Sequence, residues 1–405
     1  MKQNILIIST GLQIGGVERS LIGLLEAIDY ERFEVSLFLY GHDGEFMSMI
    51  PEEVQLLPEN KSYAAIEKPI KEVLVSKEFP IALARLTAKF VRLFRKRVFG
   101  VSGFLLPRSV QYCLRFLSPI PGTYDLAISF ITPHDPVINK ITAKKNIGWI
   151  HTDYSTMECG VDHAFELPVW QDLDTIAAVS DSVKDTFSQV FPEVSDKIVV
   201  IENIVSSDFI RREAEEDVTK EMPSVPGEIR ICSVGRFCHQ KNFDSIPSIV
   251  RMLGAVGIRV RWYLIGFGSD ESLIKNSIKE AGVEDKVIIL EKKTSPYPYM
   301  RACDIYVQPS RYEGKAVTVR EAQILGKPVL ITNFPTAQSQ LEDGVDGMIC
   351  PLSVEGVADG IRMLVDDKEL REKLAATCAE RDYSNQDEVE KLYNLLEGKG
   401  AKIES

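Results

Sequence analysis

Two carboxylates, Glu313 and Glu321, stand eight positions apart in RYEGKAVTVREAQILGKPVL, residues 311–330. One apolar run precedes them and another follows. Upstream, VGRFCHQKNFD (234–244) carries two cations, Arg236 and Lys241, just past an apolar run. On one unbroken helix the glutamates would lie about 12 Å apart along the axis. Gly314 argues against a single helix. The pattern predicts Glu313 on a loop near a helix start and Glu321 about two turns into that helix. Two carboxylates facing a phosphate would repel it, but each is tolerated if it accepts two hydrogen bonds from a neutral diol. A nucleotide sugar has a diol-bearing ring on each side of its diphosphate. In that reading Arg236, Lys241 and a helix capped by Asn242 neutralise the diphosphate. Glu321 takes the ribose hydroxyls and Glu313 the sugar hydroxyls. The backbone N–H groups of Gly314, Lys315, Ala316 and Val317 meet the phosphate between them. The plain alternative is two surface acids and a solvated loop with two ordinary cations.

Two further groups follow apolar runs. TGLQIGGVERS (10–20) has Gly11, Gly15 and Gly16 ahead of a helix, where backbone can approach an anion. The spacing is not the dinucleotide pattern G-x-G-x-x-G, and plain turn glycines remain the alternative. GWIHTDYS (148–155) puts His151 at the end of an expected strand; a structural histidine is its alternative, and His239 is a weaker candidate. Asp172 and Asp174 spell D-x-D, but they precede an expected strand, at the wrong end for a ligand. They read as polar residues closing a helix and leading into a strand.

The elements that must hold these residues alternate, which predicts parallel sheets covered on both faces. Expected strands are residues 4–9, 33–40, 126–130, 146–150, 175–180 and 197–203. A second series follows at 229–235, 259–266, 286–290, 304–310 and 327–332. Ser180 or Asp181 should cap the helix after the fifth strand. The charged, proline-bearing stretch 206–228 reads as surface connection beside a domain boundary. The expectation is α/β: two Rossmann-like parallel-sheet domains, 1–205 and 206–385, facing across a cleft. A helix within 386–405 should pack back on the first. Ligands in such sheets sit beyond the carboxyl ends of the strands.

Bulk composition narrows the function. At 405 residues two domains are the leading expectation, and a net charge of −12 argues against nucleic acid. No apolar run is long enough to span a membrane, and MKQNILIIST is too quickly polar for a signal peptide. Seven scattered cysteines with no Cys-x-x-Cys fit a reducing cytoplasm and argue against zinc. One stretch departs from the acidic average. From Phe79 to Tyr124 there is no Asp or Glu, while Arg85, Lys89, Arg92, Arg95, Lys96, Arg97, Arg108 and Arg115 are interleaved with apolar residues. Such an island suits reversible contact with an anionic membrane surface, which makes the protein cytoplasmic and peripheral on the inner face. A helical insertion with a basic solvated face stays open.

The E-x7-E after an apolar strand ending Pro309–Ser310, followed by GKPV (326–329), resembles the pattern of family-four retaining glycosyltransferases of the GT-B fold. GGVE (15–18), the G-R-x4-K of 235–241 and IENI (201–204) occur in that family in the same order. The likeness spans nearly the whole chain. It implies a glycosyltransferase using a nucleotide diphosphate sugar, with neither cofactor nor metal. It implies that His151 contacts the donor sugar and that Arg236, Lys241 and Glu313 join it in catalysis. It implies an acceptor held by the first domain: a glycan on a polyprenyl diphosphate, in surface polysaccharide synthesis. EGKA (313–316) departs from the commoner E-G-F-G, which leaves the donor sugar open. An epimerase of the same shape and a non-catalytic accessory subunit are the rival readings.

Overall fold

The computed structural model describes residues 2–100, 105–152, 154, 161–313 and 316–398. The chain divides into two compact units, one of residues up to Ile204 and again from Asn385, the other Val205–Ser384.

Among the described residues, the first unit is built on a seven-stranded parallel sheet: β1 (Gln3–Ser9), β2 (Phe33–Leu39), β3 (Gln55–Leu56), β4 (Thr123–Ser129), β5 (Thr142–Ile150), β6 (Thr175–Ala178) and β7 (Ile198–Val200). Their order is β3-β2-β1-β4-β5-β6-β7. Ile5, Leu6, Ile7 and Ile8 are all buried, so both faces of β1 are covered, as continuous apolar strands of parallel sheets require. Ile5 sits opposite Val35 on one side and Leu126 on the other.

The second unit holds a six-stranded parallel sheet among its described residues: β8 (Ile229–Val234), β9 (Val260–Ile265), β10 (Val287–Ile289), β11 (Ile305–Gln308), β12 (Val329–Thr332) and β13 (Met348–Cys350). The order is β10-β9-β8-β11-β12-β13. In each sheet the order reverses once, between β1 and β4 and between β8 and β11. A ligand crevice opens at such a point, because successive crossovers leave on opposite sides.

Two strands have no counterpart among the expected ones, β3 and β13. Two or three residues are too few to show a period. The stretch 206–228 is not simple surface connection. Ser206 accepts a hydrogen bond from the Phe209 N–H and starts a helix, Ser207–Glu213, that buries Phe209 and Ile210. Val218 and Met222 are buried beyond it. Charge density hid a few apolar anchors. The last helix, Glu388–Glu397, belongs to the first unit. Tyr393 stacks on Phe33 at 4.4 Å, and Lys145 Nζ donates to the Leu395 carbonyl at 2.7 Å.

Candidate active site

The chain leaving β8 and the chain leaving β11 meet at the reversal point of the second sheet. Gly266, after β9, lets its own chain lie close against the chain leaving β8. Its φ is +148°, and a Cβ there would lie 1.9 Å from the Gly235 carbonyl oxygen. His239–Lys241 and Phe243–Ser245 are short 3-10 turns, and the helix begins only at Ile246. The expected helix is present but starts later, and the Asn242 side chain does not cap it. Asn242 takes a left-handed φ of 60°, which asparagine tolerates. Its Nδ2 donates to the Pro309 carbonyl at 2.9 Å and ties the two loops together.

Glu313 is 8% exposed and is held from three directions. Lys241 Nζ lies 2.5 Å from its Oε1 and Ser310 Oγ donates to the same oxygen at 2.6 Å. Gln240 Nε2 donates to Oε2 at 3.1 Å. Ser310 is set in turn by Gln308, which Tyr306 orients from within β11. Arg236 is exposed and makes no ion pair among the described residues. The sequence reading omitted Gln240 and Ser310. Both lie inside the quoted motifs, but no spacing rule marks a hydrogen-bond donor to a particular carboxylate.

Gly314 and Lys315 lie outside the described residues. The Ala316 N–H donates to Gln340 Oε1 at 2.8 Å, so in this structure a side chain occupies a donor expected to meet phosphate. Val317 opens the helix Val317–Ile324. Glu321 therefore sits one turn in, not two, because residues 314–316 precede the helix. It is 1% exposed and accepts a hydrogen bond from Tyr297 Oη at 2.9 Å. The structure brings Lys241 and Glu313 together, leaves Arg236 on the same loop facing solvent, and buries Glu321 beside Tyr297.

Gly15, Gly16 and His151 belong to the first unit. Gly15 is the extended residue before the helix Gly16–Ala27, and a Cβ on it would lie 2.1 Å from Glu18 Oε2. The third helical residue thus folds back over the start of its own helix, where an acid is favoured. That accounts for Gly15 locally; Gly16 has open space. His151 follows β5, and its Nε2 lies 2.8 Å from the Phe130 carbonyl, so Nε2 carries the proton. Burial pushes this imidazole down to about 4. His134, after β4, packs on Trp170 at 4.8 Å and is pushed down to about 3 by the same cause. Asp174 Oδ2 accepts the Asn146 N–H at 2.8 Å and leads into β6.

Three cations of the basic stretch turn inward. Arg95 and Arg108, from the helices Phe79–Phe99 and Leu105–Cys113, converge on Asp162, which is 3% exposed. Arg95 forms a two-pronged pair with it at 2.8 Å. Arg85 donates to the carbonyls of Ala65 and Lys68. Beside Asp162, burial pushes the Glu166 carboxyl up to about 7. Raised above its ordinary 4.5, this group adds stability that is full below 4.5 and lost as pH rises through about 7. The histidines act oppositely: charging them favours the unfolded chain, so stability falls as pH drops below about 6.5. We expect Glu166→Gln to melt higher than the parent chain above pH 7, with the gap closing toward pH 4.5. Parallel melting curves across that range would refute the assignment.

The outer face of Phe79–Phe99 is apolar and exposed. Leu83 is 64% exposed and Phe90 70%, and Phe79, Leu86, Leu93, Phe94 and Val98 continue the stripe. Lys89, Lys96 and Arg97 flank it, also exposed. Among the described residues no helix is long and apolar enough to cross a membrane.

Residues 215–381 match the family model described as "Glycosyl transferases group 1". A lipopolysaccharide core biosynthesis glycosyltransferase of Rhizobium meliloti is 27% identical over 146 residues, 36% of this chain and 42% of that one. A capsular polysaccharide biosynthesis glycosyltransferase of Staphylococcus aureus is 26% identical, over 40% of this chain and 45% of that one. The chain thus spans about half the length of the curated relatives it matches. Among solved structures, Anabaena HepE with UDP and glucose superposes with a TM-score of 0.65 at 15% identity, covering 98% of this chain and 99% of that one. A variant of S. aureus TarM in complex with fondaparinux, alpha-GlcNAc-glycerol and UDP gives 0.68 at 14% identity, covering 97% and 99%. These likenesses show the fold: two parallel-sheet α/β domains of the GT-B type.

Proposed function

We infer, from a chain that belongs through residues 215–381 to the glycosyl transferases group 1 family, that it moves a hexose-type sugar from a nucleotide diphosphate sugar onto a glycan acceptor in surface polysaccharide synthesis. One observation carries the reading: Lys241 and Glu313 meet at 2.5 Å at the reversal point of the second sheet, beside the exposed Arg236. A lysine paired to a single carboxylate oxygen keeps donors for a second anion. Bound diphosphate would share that ammonium with Glu313, and Arg236 would take the outer phosphate oxygens. Cleavage of the anomeric bond puts negative charge on the phosphate and positive charge on the ring. The two cations stabilise the first as it grows, in place of a metal ion. Glu313 then accepts from sugar hydroxyls, as Ser310 and Gln240 hold its carboxylate in position. Glu321 has one oxygen on Tyr297 and accepts from the ribose. Retention follows from attack on the leaving-group face, with a donor phosphate oxygen taking the acceptor proton. UDP in the solved structures of like fold supports a uridine donor.

The test is a melting-shift screen against UDP-, GDP- and ADP-sugars, followed by slow hydrolysis of the best binder. A UDP-sugar should raise the transition, and no shift with any nucleotide sugar would overturn the reading.

The acceptor we propose is lipid-linked, carried on a polyprenyl diphosphate at the inner face of the membrane. The exposed stripe of Phe79–Phe99 supports this, since its flanking cations each add about 1 kcal/mol near an anionic surface. We expect the protein to sediment with phosphatidylglycerol vesicles at low salt and to be released at high salt. Phe90→Glu should weaken that sedimentation. Equal recovery with neutral and anionic vesicles would rule out this face as the contact.

A further inference from the structure

We propose that the turn after β12 regulates the donor site: the Gln340 carboxamide oxygen competes with a phosphate oxygen of the nucleotide for the Ala316 N–H. The inference rests on the glycosyltransferase reading, which brings a diphosphate to this point. Ala316 precedes the helix Val317–Ile324 and lies three residues on from Glu313, whose carboxylate meets Lys241. A helix start favours an anion. Here the donor is already engaged, since the Ala316 N–H gives its proton to Gln340 Oε1 at 2.8 Å. Ala316 is buried, so this N–H depends on an acceptor supplied by the protein or by a ligand. One N–H serves one short acceptor, and Gln340 and a phosphate oxygen cannot both be that acceptor.

The turn presents that oxygen through its own bonds. The Ser339 N–H donates to the Thr336 carbonyl at 3.0 Å and the Gln340 N–H to the Ala337 carbonyl at 2.9 Å. Ala337, fully buried, anchors the turn. Thr336 Oγ1 donates to the Glu313 carbonyl at 2.8 Å, so the turn holds the chain at 313 as well as at 316. Neighbours also fix which way the carboxamide points. Ser339 Oγ gives its proton to the Thr336 carbonyl at 2.7 Å and therefore accepts from Gln340 Nε2 at 3.2 Å. That leaves Oε1 for the Ala316 N–H, which can only donate. Exchange needs no movement of the turn's backbone, because the half-buried Gln340 side chain can rotate outward. A neutral amide oxygen makes the weaker bond and a phosphate oxygen the charge-assisted, stronger one. The carboxamide thus keeps a buried N–H paired without the nucleotide and yields to it on binding. It also eases departure of the nucleoside diphosphate after transfer, since the N–H that the product leaves is paired again at once.

The sign of one substitution separates a competitor from a plain structural tie. Gln340→Ala removes the competing acceptor, so calorimetry should show UDP binding about threefold to tenfold tighter, the worth of one neutral hydrogen bond. A contact that merely held the chain in place would make the same variant bind UDP more weakly. Gln340→Glu puts a carboxylate at the same N–H and should weaken UDP about tenfold. Unchanged or weaker UDP binding by Gln340→Ala overturns the proposal, as does Gln340→Glu binding UDP as tightly as the parent chain. If the alanine variant fails to fold, the wild-type chain decides. Residues 315–316 are its only Lys-Ala pair, so carbon-13 lysine carbonyl with nitrogen-15 alanine marks that one amide. Its proton must move downfield when UDP is added, as the stronger bond requires, and an unmoved or upfield signal sinks the idea. UDP binding with the wrong sign in these tests overturns this inference alone. A wild-type chain that binds none of UDP, GDP and ADP strikes the transferase reading, and this inference with it.

Discussion

Lys241→Ala should cut sugar transfer by about 10²–10³-fold, the loss found when one preorganised donor to a developing oxyanion is removed. The Lys241 side chain is 16% exposed and the Glu313 side chain 5%, so the pair sits where water screens weakly. Removing it takes away the cation expected on the phosphate. It also leaves Glu313 with only the neutral donors Ser310 and Gln240. The variant should therefore lose stability as well as turnover. Lys241→Arg is not a conservative rescue. The lysine stem runs 3.2 Å from the position of a Cβ on Gly235, and a planar guanidinium would have to be accommodated in that narrow passage. Steady-state kinetics with the best nucleotide sugar decide the matter, and near-normal turnover in the alanine variant would remove the diphosphate clamp from the mechanism.

Asp162→Ala should destabilise the first unit by about 3–5 kcal/mol, the cost of stripping one partner from a buried ion pair. Arg108, 3% exposed, would be left in the interior with its charge uncompensated, and Arg95 would lose both prongs of its contact. The two basic helices would lose their common anchor to the start of the helix His163–Asp172. Each unit has its own apolar core, so calorimetry should show one transition moving down while the other holds. Arg95→Lys should cost far less, because that side chain is 32% exposed and keeps a charge. A single unshifted transition in Asp162→Ala would show that the network contributes nothing.

The two sheets were legible because parallel strands covered on both faces write themselves as continuous apolar runs. NILIIS and IRICSVG are unmistakable, and β1 and β8 are where they were expected. What failed was short or charged. β3 and β13 have no period to read, and Phe209, Ile210 and Met222 lie hidden among acids and arginines. The basic stretch misled in part for a related reason. Sequence counts Arg95 and Arg108 as surface charge, but only a folded chain can bring Asp162, more than fifty residues downstream, between them.

The candidate site divides along the same line. Residue types and spacing alone were enough to single out Arg236, Lys241, Glu313, Glu321 and His151 and to suggest the ligand chemistry. Local rules suffice for that, because charge, backbone freedom and strand ends are properties of a few consecutive residues. Tertiary structure decided who pairs with whom: Lys241 with Glu313, Tyr297 with Glu321, Gln340 with the Ala316 N–H. It also buried His134 and His151, which pushes both imidazoles down. Pairing and desolvation depend on groups far apart in the chain, whose distances are set only when both faces of each sheet are covered.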